Sequence, residues 1–184
     1  MNASRLIYRS RQFWQAINTR SSRDDTDLVS SILSPSQIEL FNLMQKSEQA
    51  HSLRVLKELR NRGDENVDLQ TAALLHDVGK VRAPLRLWER VLIVIVKALC
   101  LDCVKKWASA PTEASLTGLG WRRAFVVAEQ HPVWGADLAS QCGTSPIAVS
   151  LIARHQEQLT PVDINESSEE DCLLRKLQAV DDIN

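Results

Sequence analysis

Residues 73–83, ALLHDVGKVRA, constrain this chain more than any other stretch. The apolar run Ala73-Leu74-Leu75 leads straight into His76 and Asp77, and Val78-Gly79-Lys80 then breaks the pattern. A run of this kind predicts a hydrophobic helix, and two polar side chains at its end are costly to bury without partners. Either the pair is a satisfied polar plug in the core, or it binds something.

The punctuation on both sides is helical. Ser34-Pro35-Ser36-Gln37 supplies an N-cap, a proline at the first helical position and a glutamine at the third. Ile38, Leu40, Phe41 and Met44 follow as apolar positions. A second helix fits Ser47 to about Asn61, with Leu53, Val55, Leu56 and Leu59 apolar and Gly63 as its stop. A third runs from an Asp68 cap through His76-Asp77 to Gly79. Pro84 opens a longer apolar helix reaching about Trp107. Its core, VLIVIVKALCL, is interrupted by Lys97 and is too short to cross a bilayer, so it reads as a buried helix.

Residues 108–120, ASAPTEASLTGLG, read as a loop of small residues. Helices are expected near Trp121–Gln130, Pro132–Gln141 and Ser145–His155, the last capped by Ser145 with Pro146 at its first position. A polar linker leads to a final helix ending LLRKLQAVDDIN. No alternating strand pattern competes, so the expected class is all-α.

Two segments are expected: a basic amphipathic one at 1–33 and a domain at 34–184. The first 23 residues hold five arginines and no acid, with Leu6, Ile7, Phe13, Trp14 and Ile17 at helical spacing. That segment suits a membrane or an acidic partner, or simply packs on the domain. The net charge of −1 argues against a polycation built for nucleic acid. Cysteines 100, 103, 142 and 172 show no disulfide-framework spacing and no signal peptide is visible, so a cytoplasmic location is expected.

The chain has four histidines, His51, His76, His131 and His155, each in or at the edge of a different expected helix. Imidazoles and a carboxylate converging from several helices build a metal site in a bundle core. The order His51, His76-Asp77, HPVWGADL with His131, RHQE with His155, and a late aspartate in LQAVDDIN resembles the HD-domain superfamily of metal-dependent phosphohydrolases. LLHDVGK is similar to the version shared with HD-GYP phosphodiesterases, and the two later histidines resemble the extra module of dinuclear members.

The resemblance implies an HD-type helical bundle of about seven to nine helices with an N-terminal accessory helix. It also implies two divalent transition-metal ions, iron, manganese, cobalt or nickel. His51, His76, Asp77 and Asp181 would hold one; Asp77, His131 and His155 would hold the other, with Asp77 shared. Asp182 is the alternative to Asp181. The activity implied is cleavage of a nucleotide or another small phosphate ester or anhydride by a hydroxide bridging the ions. Lys80 resembles the family lysine that approaches phosphate, although a solvated surface lysine fits the same position. Arg54, one turn after His51, meets phosphate or pairs with a carboxylate. Trp134 walls a base-sized pocket or packs in the core. Glu157 supports a ligand or lies on the surface.

The pattern departs from HD-GYP enzymes, because HQEQLTPVD carries no Gly-Tyr-Pro after the fourth histidine. That layout is closer to dinuclear HD enzymes that cleave dinucleoside polyphosphates and other nucleotides. Two other readings share the ligand set: a di-iron HD-fold oxygenase and a catalytically silent regulatory HD module.

Overall fold

Ser34 caps the helix Pro35–Asn42 as its sequence predicts. Its backbone N–H donates to Gln37 Oε1 at 2.8 Å while its hydroxyl accepts from the Gln37 N–H. Such caps contribute about 1 kcal/mol each. The structure is a computed structural model describing residues 23–108, 118–159 and 168–183, apart from side chains at 101–103 and 105. Among them it is all-α: α1 (Arg23–Ile32), α2 (Pro35–Asn42), α3 (Lys46–Asn61), α4 (Val67–Leu75), α5 (Leu87–Leu99), α6 (Leu101–Ala108), α7 (Arg123–Gln141), α8 (Pro146–Arg154) and α9 (Glu169–Asp181). No strand occurs among the described residues.

α4 is the axis of the fold. Every residue from Leu69 to Leu75 is buried, Gln70 and Thr71 included, so the helix is covered on all sides and must be surrounded. α3, α8 and α9 surround it, contributing Leu56, Leu59, Leu151, Ile152, Leu174 and Leu177 to one continuous core. α1 adds Val29 to that core, and Leu33 follows it there. Residues 1–22, which carry most of the basic segment, lie outside the described residues, as do 109–117 of the expected loop. A smaller cluster around Phe125 joins α5, α6 and α7.

Several boundaries differ from expectation, each for a physical reason. Asn66, not Asp68, caps α4, accepting the Leu69 N–H at 2.9 Å. Asp68 instead accepts the Ser145 hydroxyl. α4 stops at Leu75, and a short 3-10 turn, Val78–Arg82, then carries Gly79 and Lys80. The long helix expected from Pro84 is two helices, broken at Cys100, whose φ of −154° and ψ of 88° are extended. Cys100 is disulfide-bonded, where the cysteine spacing alone points to no bridge. α5 is also not buried on all sides, because most of its outer residues are exposed.

α7 runs through Pro132 where two helices were expected. Proline lacks the N–H that would bond the Ala128 carbonyl. That carbonyl is taken instead by His131 Nδ1 at 2.9 Å, so the helix continues. None of the described helices is long and apolar enough to cross a membrane.

Candidate metal centre

Three of the four histidines are aimed by carbonyls that their helices leave unpaired. His76 and His155 are the C-cap residues of α4 and α8, where the last carbonyls lack backbone donors. His76 Nδ1 bonds Ala73 O at 3.0 Å and His155 Nδ1 bonds Ile152 O at 2.8 Å. His131 uses the carbonyl that Pro132 orphans. With each Nδ1–H spent on backbone, each Nε2 points inward.

The inward atoms converge on Asp77. His131 Nε2 lies 3.3 Å from Asp77 Oδ1 and 3.2 Å from His155 Nε2, while His76 Nε2 lies 3.8 Å from Asp77 Oδ2. Asp181, the last residue of α9, closes the other side. Its Oδ1 is 2.7 Å from His51 Nε2 and 3.5 Å from His76 Nε2. Asp182 is exposed and caps the helix, so Asp181 makes these contacts. His51, His76 and Asp77 form one cluster able to hold a cation, and Asp77, His131 and His155 form another.

This donor set fits divalent metal. His76 Nε2 is fully buried and has no hydrogen-bond partner, which a core rarely tolerates. Imidazole nitrogens with one or two carboxylates match iron, manganese, cobalt and nickel. Residues 49–182 match the HD domain family model. The chain belongs to the HD-domain family. Comparison with curated proteins and comparison with solved structures gave no match.

Electrostatics divide the HD site. Burial disfavours the charged form of His76, but Asp77 and Asp181 outweigh it and hold its pKa up at about 9. Burial lowers His155, and repulsion from His76 and His131 takes it down to about 3. Burial also lowers His131. Asp77 resists the upward push of burial because Lys80 and His76 hold it well below the usual carboxylate range. Asp181 is lowered against burial too, by His76 and His51.

Around these side chains sit Lys80 and Glu157, which the sequence singles out, and Glu48, Arg90, Arg154 and Gln178, which it does not. Lys80 Nζ is 2.6 Å from Asp77 Oδ2 and 3.6 Å from Glu48 Oε2, so it is not a solvated surface lysine. Glu48, 5% exposed, is in turn held by Arg90 at 2.5 Å. Arg154 binds Glu157, Glu170 and Asp171, tying the His155 end of α8 to the start of α9. Glu157 therefore serves that tie. Gln178 of α9 donates to the carbonyls of His155 and Glu157 at 3.1 and 2.8 Å, fixing the same turn.

Gly79 sets the closeness of the two halves. A Cβ there would lie 1.9 Å from His131 O and 2.6 Å from Gly135 N, so only glycine lets the 3-10 turn lie against α7. An open cleft of about 1240 Å³ reaches His155 and Asp181 and is lined by Lys97, Glu129, Arg154, Arg175 and Gln178 among others. Lys97 is pulled below the usual lysine range by desolvation and by the nearby Lys80 charge. Arg54 is half-buried and lies outside this lining, making no ion pair with a described residue. Trp134 packs against the smaller core cluster, and Pro132 and Val133 form the cleft wall beside it. Arg123 bonds Glu89 at 2.7 Å and Arg122 bonds the Trp107 carbonyl, so both arginines are held by the fold.

Proposed function

We propose that this protein is a metal-dependent phosphohydrolase acting on a nucleotide or another small phosphate ester or anhydride. HD domains are typically enzymes of this kind. The observation that carries the reading is the convergence of three buried histidine Nε2 atoms on Asp77, one of them without any hydrogen bond. His51, His76, Asp77 and Asp181 would hold one divalent ion, and Asp77, His131 and His155 a second. Bound ions of this class activate water near neutral pH and take up phosphoryl oxygens.

The chain's own residues supply the rest. Lys80 keeps Asp77 ionised and oriented, so the shared carboxylate stays a two-sided ligand across the pH range of the cell. Glu48 and Arg90 hold Lys80 in place from behind. Lys97 and Arg175 line the cleft on the approach to the ligands, where a phosphate's charge would be matched. The cleft exceeds the usual range for small-ligand pockets, leaving room for more than a bare phosphate.

Metal content of untagged protein purified without oxygen tests the reading. About two transition-metal ions per chain are expected, with turnover of nucleotides, dinucleoside polyphosphates or generic phosphodiesters. Failure to retain or regain iron, manganese, cobalt or nickel would sink the hydrolase assignment.

A further inference from the structure

Two carboxylates reach the Lys80 ammonium. Its Nζ lies 2.6 Å from Asp77 Oδ2 and 3.6 Å from Glu48 Oε2. Local geometry explains the first contact. Asp77 caps the 3-10 turn that carries Lys80, and so tight a turn sets residues three apart over one another. The second contact comes from α3, where Glu48 stands one turn before His51. Burial of Glu48 does not depend on the ammonium, because Arg90 already pairs with its other oxygen at 2.5 Å. At 3.6 Å the Lys80 contact is too long for a hydrogen bond. The ammonium therefore rests on Asp77, with a second anion behind it.

Which oxygen it rests on matters. Asp77 Oδ1 faces His131 at 3.3 Å, whereas Oδ2 is the oxygen 3.8 Å from His76 Nε2. An ion shared by His76 and Asp77 would come to the oxygen on which the ammonium lies, and two cations on one oxygen repel. Withdrawal of the ammonium toward Glu48 relieves that repulsion without leaving its charge unpaired.

We propose that Glu48 is a positioning residue for metal loading, the second station to which the Lys80 ammonium withdraws when a divalent cation comes to Asp77. This rests on the metal-centre reading above and adds to it a competition between two cations for one carboxylate. Lys80 orients Asp77 and then gives way to the ion. Arg90 sets the strength of the station, since it shares Glu48 with the ammonium, and Gln45 accepts from Arg90 on the far side. Asp77, Lys80, Glu48 and Arg90 alternate in sign, so the shift moves one charge along a row that stays balanced.

Competition titration of manganese(II) against a fluorescent chelator, on the full chain, tests this. Lys80→Met should bind manganese about tenfold or more tightly than wild type, because the competing charge is gone. Glu48→Gln should bind it about fivefold more weakly, because the ammonium is left with Asp77 alone. The deciding measurement is the double variant. With no ammonium to receive, Glu48→Gln should change affinity by less than about twofold in the Lys80→Met background. A weakening of equal size in both backgrounds overturns the proposal, since Glu48 would then act only through its own field. Equal affinity of Glu48→Gln and wild type overturns it as well. Should Glu48→Gln not fold, Arg90→Gln gives the same test with the opposite sign. It should tighten binding in the wild-type background and not in the Lys80→Met background; tightening in both overturns the proposal. Wild-type protein that binds no manganese, cobalt, nickel or iron fails the metal-centre reading itself, and this proposal with it.

Discussion

The two halves of the HD site share Asp77 and differ in their charge. On one side His51 and His76 face Asp181, and solvent reaches the pair, with side chains 20% exposed at His51 and 25% at Asp181. On the other, His131 and His155 are almost sealed, at 1% and 4%. The carboxylate-rich half keeps His76 protonated up to about 9, whereas burial and mutual repulsion keep His155 neutral down to about 3. At neutral pH the nitrogen-rich half therefore offers a bare lone pair at His155, and the other half holds a proton that a cation must displace. Two ions bound here would meet different fields from one shared carboxylate.

Pushing the two halves apart should have the largest effect. Gly79→Ala places a methyl against backbone of α7, which cannot swing aside as a side chain does. A loss of about 3 kcal/mol or more in denaturant unfolding is expected. A variant within about 0.5 kcal/mol of wild type would show that the close approach is not needed.

Removing the shared ligand should act on both halves, and removing an unshared one on half. Asp77→Ala is expected to take metal content to near zero, and His131→Ala to about one ion per chain. Equal stoichiometry in the two variants, read by elemental analysis, would count against sharing.

Acidity should separate the halves more gently. Metal binding must release the His76 proton, so affinity should rise about tenfold per pH unit between about 6.5 and 9. Without metal the sign reverses. A histidine whose folded pKa is raised stabilises the fold fully below its unfolded value of about 6.5, and that stability is lost as pH rises through about 9. The chelated protein should therefore melt earlier at pH 9.5 than at pH 6, measured by calorimetry. A flat affinity profile would place the proton elsewhere. The smallest effect is expected from Pro132→Ala, which returns an N–H to compete with His131 for the Ala128 carbonyl. Stability should change by less than about 1 kcal/mol, while the nitrogen-rich half binds its ion more weakly in competition titrations.

What the sequence shows well is local. Ser34, Gly63 and Ser145-Pro146 act within a few residues of themselves, so their caps and stops are legible. The clustering is legible through resemblance, since the side chains it names, His51, His76-Asp77, His131, His155 and Asp181, come together in the structure. Glu48 and Arg90 are not, because a buried acid meeting a cation 42 positions away leaves no periodic trace. Pro132 misleads for a similar reason. The rule that proline breaks a helix counts the lost N–H, but the histidine before it supplies the replacement donor. α5 misleads in the opposite direction, because apolar composition reports what a face avoids and not what covers it.

The contact between His51 and Asp181 spans 130 positions of chain. At typical synthesis rates roughly ten seconds separate the appearance of these two residues. His76, Asp77, His131 and His155 all emerge in that interval, so the nitrogen-rich half is expected to assemble first on the growing chain. The carboxylate-rich half waits for α9. A nascent chain caught before then carries half of the cluster, and docking of α9 is the step that brings Asp181 to His51.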